Sequence, residues 1–180
     1  MTRAKSSDEL NGLSVSSING LLKTISTDPE IARQLGRWRA RVRWLGGLKA
    51  KSYVRSHSVI VDEAADLSAA DTAPNAVEYV LSALGGCLIA GFALNATKQG
   101  VKIYDAEIAI EGNIDNILTF LGLSEEGHSG YRDVVVKLYV KADADEETLR
   151  RVWQYTVQTS PVCNTLIRTV NLKPDISVIR

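Results

Sequence analysis

The chain has 180 residues, 45% of them hydrophobic and 23% charged, and its 21 basic residues balance its 21 acidic ones. Those values fit one globular domain, long enough to bury roughly 70% of the surface its unfolded chain exposes. Zero net charge argues against a general nucleic-acid binder or a binder of acidic membranes, because both need a basic excess. Two cysteines and two histidines, with no CxxC or HxxxH spacing among them, make neither a disulfide scaffold nor a metal site. No glycine-rich nucleotide fingerprint is present, so no cofactor is expected. The N-terminal stretch has no apolar run of the exporting kind, so a reducing, cytoplasmic compartment is expected.

Residues 1–11 are polar and are expected to fray. Over 13–25, Val15, Ile18, Leu21, Leu22 and Ile25 form one face of an amphipathic helix. Asp28-Pro29 opens a second short helix that runs to about residue 35, with proline at its first position. Residues 1–36 are therefore expected to form a helical arm, and 37–180 the main domain. From Arg37 the period changes to two. Trp38, Ala40, Val42 and Trp44 alternate with Arg37, Arg39, Arg41 and Arg43, which predicts a half-buried strand with a cationic face. The plain reading of that face is solvation and pairing with acids. Gly46-Gly47 marks a hairpin turn into a strand over 48–61, with Arg55 and His57 near its middle. An acidic, alanine-rich loop follows over 62–74.

Residues 75–99 hold the longest apolar run of the chain, with Cys87 near its centre. Asn75 is placed to cap a helix, and Glu78 stands at the reciprocal capping-box position. The run reaches the lower length limit for a membrane span, but Ser82, three glycines and Asn95 within it point to a buried helix. Ala83, Cys87, Gly91 and Asn95 recur every four residues, a strip of small side chains down one helix face. Gly85 and Gly86 each cost about 1 kcal/mol in a helix interior. Close approach of another element is the expected reason, in a helix crossing within the subunit or across a dimer.

Beyond Gly100 the patterns predict a strand over 101–111, one helical turn within 117–123, and a strand over 131–142 with Val134, Val136, Leu138 and Val140 on one face. Asp145 caps a helix over 146–159, with Leu149, Val152, Trp153 and Val157 inward. A short helix starts at Ser160-Pro161 and carries Cys163, and a last strand covers 170–179. Strand runs separated by helices make the fold α+β, an antiparallel or mixed sheet wrapped around the long central helix.

A cysteine inside a buried helix is either a small core residue or a reactive thiol. Cys87 lies too far from its helix start to gain from the dipole and would need a nearby cation, which the arginines of the first two strands could supply. Cys163, in the first turn after Ser160, does receive the dipole. NAVEYVLSALGGCL, followed about 75 residues later by SPVCNTL, resembles the OsmC/Ohr family of small cysteine-based proteins typified by organic-hydroperoxide reductases. The resemblance covers roughly residues 37–180. It implies an intertwined homodimer with two sites at its interface. It also implies a peroxidatic thiolate at Cys87 that a hydroperoxide oxidises to sulfenic acid, a second cysteine that closes a disulfide, and reduction by a dithiol. An Arg–Glu pair stabilises the thiolate in that scheme. In this chain the resolving position holds Ser160, with Cys163 one helical turn later. The glutamate position holds Val77, next to Glu78, and Leu48-Lys49 follow the glycine pair where the arginine is expected, leaving Arg55 as substitute. The expected function is thus a thiol-dependent peroxidase using Cys87, Cys163, Arg55 and Glu78. The competing expectation is a non-enzymatic dimer of the same fold that binds a small apolar or acyl ligand at the subunit interface.

Overall fold

The computed structural model of the chain describes residues 8–179. In order, the elements are β1 (Glu9–Leu10), β2 (Leu13–Ser14), α1 (Val15–Thr27), α2 (Pro29–Leu35), β3 (Arg41–Gly46), β4 (Lys49–Val54) and β5 (His57–Val61). A short 3-10 turn at Ala65–Leu67 precedes α3 (Ala76–Lys98) and β6 (Ile103–Ile114). Then come α4 (Ile117–Phe120), β7 (Tyr131–Ala142), α5 (Glu146–Thr159) and α6 (Pro161–Ile167). The fold is α+β, as the patterns predict.

Local chemistry sets most boundaries. Asn75 accepts from the Glu78 amide while the Glu78 carboxylate accepts from the Asn75 amide, the complete reciprocal cap at the start of α3. Asp28 and Asp145 cap α2 and α5, and Pro29 and Pro161 occupy the first turns of α2 and α6. Gly46 and Gly47, both at positive φ, turn β3 into β4.

One face of α3 rests on the long antiparallel hairpin β6–β7, and another meets α5 and α6. Phe92, Ala96, Val101 and Val152 form the centre of the core, with Trp153 edge-on to Phe92 at 6.4 Å between ring centroids. The expectation of a buried central helix holds on one side only. Just 17% of the apolar window of α3 is buried within the chain. The helix is long and apolar enough to cross a membrane by length and composition; here it is held by packing on its own hairpin and helices.

Four sequence expectations need correction. The strand over 48–61 is two strands, β4 and β5, which turn at Arg55-Ser56 with Arg55 at φ +54°. A turn with neither glycine nor asparagine at its left-handed position carries no compositional signal. Residues 37–40 precede β3 without joining it. β3 is also not half-buried: Trp38 and Trp44 are 76% and 72% exposed, and the four arginines make no ion pair among the described residues. Residues 170–179 form no strand, because no neighbouring strand within the chain pairs with them, and Leu172, Ile176 and Val178 stand in solvent.

The fourth correction concerns the N-terminus, of which residues 1–7 lie outside the described residues. Residues 9–14 form a tight hairpin around Asn11-Gly12, both at positive φ. The Asn11 amide donates to Thr97 Oγ1 at 3.0 Å and to the Val101 carbonyl at 2.9 Å, and its oxygen accepts from the Ile103 amide at 2.8 Å. This turn therefore clips the arm onto the end of α3 and the start of β6.

Candidate functional site

The small-residue strip on α3 faces α5 of the same chain. A methyl group added at Gly91 would lie 3.1 Å from Thr156 Cγ2, so glycine is what allows the two helices to come this close. One turn along, Asn95 Nδ2 donates to Thr156 Oγ1 at 3.0 Å, and the Thr156 hydroxyl donates in turn to the Val152 carbonyl at 2.8 Å. One turn the other way, Cys87 Sγ meets Ser160 Oγ at 3.2 Å. The strip at 87, 91 and 95 is thus matched by hydroxyls at 156 and 160, spaced by the same four residues on an antiparallel partner. At 87, 91 and 95 the expected close crossing is made within the subunit, whereas Gly85 meets only the Ile110 side chain of β6 and Gly86 meets nothing within 4 Å in the chain.

Ser160 holds a position where three elements meet. It terminates α5, caps α6, and touches the sulfur on α3. Its Oγ accepts from the Cys163 amide at 3.2 Å and its carbonyl accepts from the Asn164 amide at 3.0 Å. With the Cys163 amide occupying one lone pair of its oxygen, the serine hydroxyl has its own hydrogen and a second lone pair left, and either Ser160 or Cys87 can be the donor between them. The side chain is buried and Cys87 is half-buried.

Beside this joint lies a cleft of about 540 Å³. Val80, Leu84 and Leu88 of α3 form one wall, Val134 and Val136 of β7 a second, and Trp153, Val157 and Leu166 close it. Cys163 lines the cleft; Cys87 does not. Tyr131 and Arg132 stand at its edge. The Tyr131 hydroxyl donates to the Val77 carbonyl at 2.8 Å. Burial, with the Glu78 carboxylate as a lesser cause, raises the phenol above its ordinary value. The Tyr131 ring lies over Gly112, where a methyl group would meet it at 2.6 Å. Arg132 is tied to Asp133 at 2.9 Å.

Among the four residues singled out from the sequence, the chain brings Cys87 and Cys163 to the same joint, with Ser160 in contact with both. Both thiols are free. Glu78 does not join them; its carboxylate is engaged at the cap of α3. Arg55 sits at the exposed β4–β5 turn and makes no ion pair or side-chain hydrogen bond among the described residues. Ser160 stood out in the sequence as a cap and as the occupant of the resolving position, but its contact with Cys87 did not. Thr156 carried no separate signal except its four-residue spacing from Ser160. Among the described residues no group of three or more His, Cys, Asp or Glu side chains is arranged to hold a metal ion.

A long half-exposed helix carrying a central cysteine, crossed by the joint of two C-terminal helices and backed by a long hairpin, defines the class. The sequence profile of the OsmC-like protein family matches residues 69–175, more than half of the chain, and the chain belongs to that family. Its fold is similar to an OsmC-like protein from Mycoplasma pneumoniae (TM-score 0.62, 14% identity, covering 72% of this chain and 86% of that one). It is also similar to an organic hydroperoxide resistance protein OsmC from Legionella pneumophila (TM-score 0.56, 12% identity, 74% and 90% covered). A third similar fold is the organic hydroperoxide resistance protein OhrB of Bacillus subtilis (TM-score 0.50, 16% identity, 74% and 92% covered). No curated protein sequence matches the chain.

Proposed function

We propose that this protein is a thiol-dependent peroxidase that reduces organic hydroperoxides at Cys87. The observation that carries the reading is the half-buried Cys87 sulfur, held 3.2 Å from a capping hydroxyl beside an apolar cleft. Family membership and the resistance proteins of the same fold point the same way. In this reaction the Cys87 thiolate attacks one peroxide oxygen and the O–O bond breaks. The alkoxide leaves, takes a proton and departs as the alcohol, and the sulfur, oxidised by two electrons, carries the hydroxyl as sulfenic acid. A dimedone adduct on the Cys87 peptide after one equivalent of cumene hydroperoxide supports the reading; a Cys87 thiol that survives the peroxide unmodified sinks it.

The working unit in this proposal is a homodimer. Two apolar surfaces of the chain lack cover: the side of α3 along Leu81, Gly85 and Ile89, which borders a groove of about 400 Å³, and the β3–β5 sheet with Val42 and Trp44, preceded by the exposed Trp38. Contiguous exposed apolar faces on a single chain mark association surfaces. Sedimentation equilibrium tests this, and a monomer at micromolar concentration removes the dimer.

A second reading is a ligand-binding protein without peroxidase chemistry, favoured by the cleft's apolar lining, which does not include Cys87. The cleft is formed within one chain, so a small apolar or acyl ligand there would not require the subunit interface. Unchanged uptake of a fluorescent acyl probe by Cys87→Ala, with no hydroperoxide consumed by the unsubstituted protein, would select this reading.

A further inference from the structure

We infer that the cationic face of the β3–β4 hairpin binds a compact ligand carrying two or more linked phosphate groups. The site is separate from the thiol and uses side chains that the peroxidase reading leaves idle. Charge in this neutral chain is segregated: the 25 residues from Arg37 to Val61 hold seven of the 21 basic residues and none of the 21 acidic ones. Side chains alternate across a strand, so register decides which of them meet. Arg41 stands opposite Tyr53, and Arg43 opposite Lys51. These four therefore share one face of the sheet, while Val42 and Trp44 belong to the other. Arg41, Arg43 and Tyr53, with Val42, line an open pocket of about 510 Å³. The Lys51 ammonium lies over the Tyr53 ring, 5.3 Å from its centroid.

Two observations point from this face to a ligand. The first is that its cations lack partners. Lys49 pairs with Asp62 at 3.9 Å, but Arg41, Arg43 and Lys51 make no ion pair among the described residues. The second is the placing of Arg43 and Lys51, like charges directly opposite on neighbouring strands, which by itself destabilises a sheet. An anion between them replaces that repulsion with attraction to a common partner. Spacing then sets the class of anion. Residues 41 and 43 are about 6.8 Å apart along their strand, and directly opposed residues such as 43 and 51 have Cα atoms about 4.5–5.5 Å apart. Three long side chains rooted this closely can converge on one small molecule. A lone carboxylate brings one charge and two oxygens, enough for one guanidinium fork. A terminal phosphate carries nearly two charges and three acceptor oxygens. Two linked phosphates can thus engage both guanidinium groups bidentately and leave oxygens for the Lys51 ammonium. The chemistry recognised is the phosphate chain itself, as inorganic polyphosphate or as the tail of a nucleotide.

The test is isothermal titration calorimetry of the full chain at low salt, with sodium tripolyphosphate and, separately, adenosine triphosphate. The expected result is saturable binding of tripolyphosphate, one per chain, weakened at least tenfold by Arg41→Gln combined with Arg43→Gln and at least threefold by Lys51→Gln alone. Arg150→Gln combined with Arg151→Gln removes the same charge from the exposed surface of α5 and should leave the affinity within twofold. Given that pattern, adenosine triphosphate binding at least as tightly as tripolyphosphate assigns the nucleotide as the source, and weaker binding assigns the inorganic chain. Absence of saturable binding by either ligand overturns the inference. So does an α5 control that weakens binding as much as the β3 pair, because the protein then responds to net charge alone. A single-stranded oligonucleotide that binds more than tenfold tighter than tripolyphosphate in the same buffer makes the face a nucleic-acid surface and also overturns the compact ligand. Should the paired β3 variant fail to fold, Lys51→Gln and the α5 control decide between the same outcomes.

Discussion

Replacing Gly91 with alanine sets two effects against each other at one atom. In a helix interior, alanine is favoured over glycine by about 1 kcal/mol. The added methyl, however, would stand 3.1 Å from Thr156 Cγ2. Thr156 cannot turn away easily: it is fully buried, and its hydroxyl is fixed between Asn95 Nδ2 and the Val152 carbonyl. Overpacking of a well-packed contact costs about 1–3 kcal/mol, so Gly91→Ala should be neutral to destabilising by about 2 kcal/mol. Thr156→Ser removes the obstructing methyl and keeps the hydroxyl. In that background Gly91→Ala should be stabilising by up to about 1 kcal/mol, a coupling of about 1–3 kcal/mol in the double-mutant cycle. Urea denaturation of the four proteins at one protein concentration measures it. Equal stabilisation by Gly91→Ala in both backgrounds would refute the close crossing, and with it the packing that brings Ser160 to Cys87.

Gly112→Ala should displace the Tyr131 ring and cost more than Tyr131→Phe, which loses only the bond to the Val77 carbonyl, about 0.5–1.5 kcal/mol; chemical denaturation ranks the two. Asn11→Ala leaves the Ile103 amide without its acceptor and puts alanine at φ +53°, so a loss of about 1–3 kcal/mol is expected, with faster proteolysis of the N-terminal arm. Asp62 is 1% exposed, and hydrogen bonds from the Thr72 hydroxyl, first, and the Thr72 amide hold its carboxyl below the ordinary carboxylate value. A lowered native pKa gives stability that is fully present above the unfolded value and lost as pH falls through the native one. The loop between β5 and α3 should therefore stay ordered at pH 5 and loosen only below the ordinary carboxylate range, whereas Asp62→Asn should loosen it at every pH; hydrogen exchange at the Thr72 amide, corrected for intrinsic rate, reports both.

Caps and apolar periods are local, and the chain followed them. The Asn75/Glu78 box, Asp145 and the Ser160-Pro161 start all stand where the residues put them. The α3 strip was equally legible as a request for close approach. What approaches was not, because the matching hydroxyls at 156 and 160 lie 61 and 73 residues away from their partners and pair through tertiary packing. The Arg55-Ser56 turn escaped notice for lack of turn chemistry, while the Asn11-Gly12 turn had that chemistry and was obscured by the polar residues around it. Glu78 shows a limit of another kind: the same side chain satisfies the cap and the resemblance, and only the coordinates show which of the two it serves within the chain. The strand expected over 170–179 has the right alternation but no neighbour in its own subunit.

Ser160 ends one helix, begins the next and touches the thiol of a third. The mechanical soundness of that joint and the behaviour of the sulfur are therefore one variable. Under the proposed peroxidase function, a substitution that slackens the α5–α6 corner would register twice, as a lower melting temperature and as an altered rate at Cys87. Conversely, adding an oxygen or a thiol to the sulfur pushes directly on the corner. Trp153, on the helix that this corner ends, stacks edge-on to Phe92 of α3, so the same packing that holds the corner also holds the core.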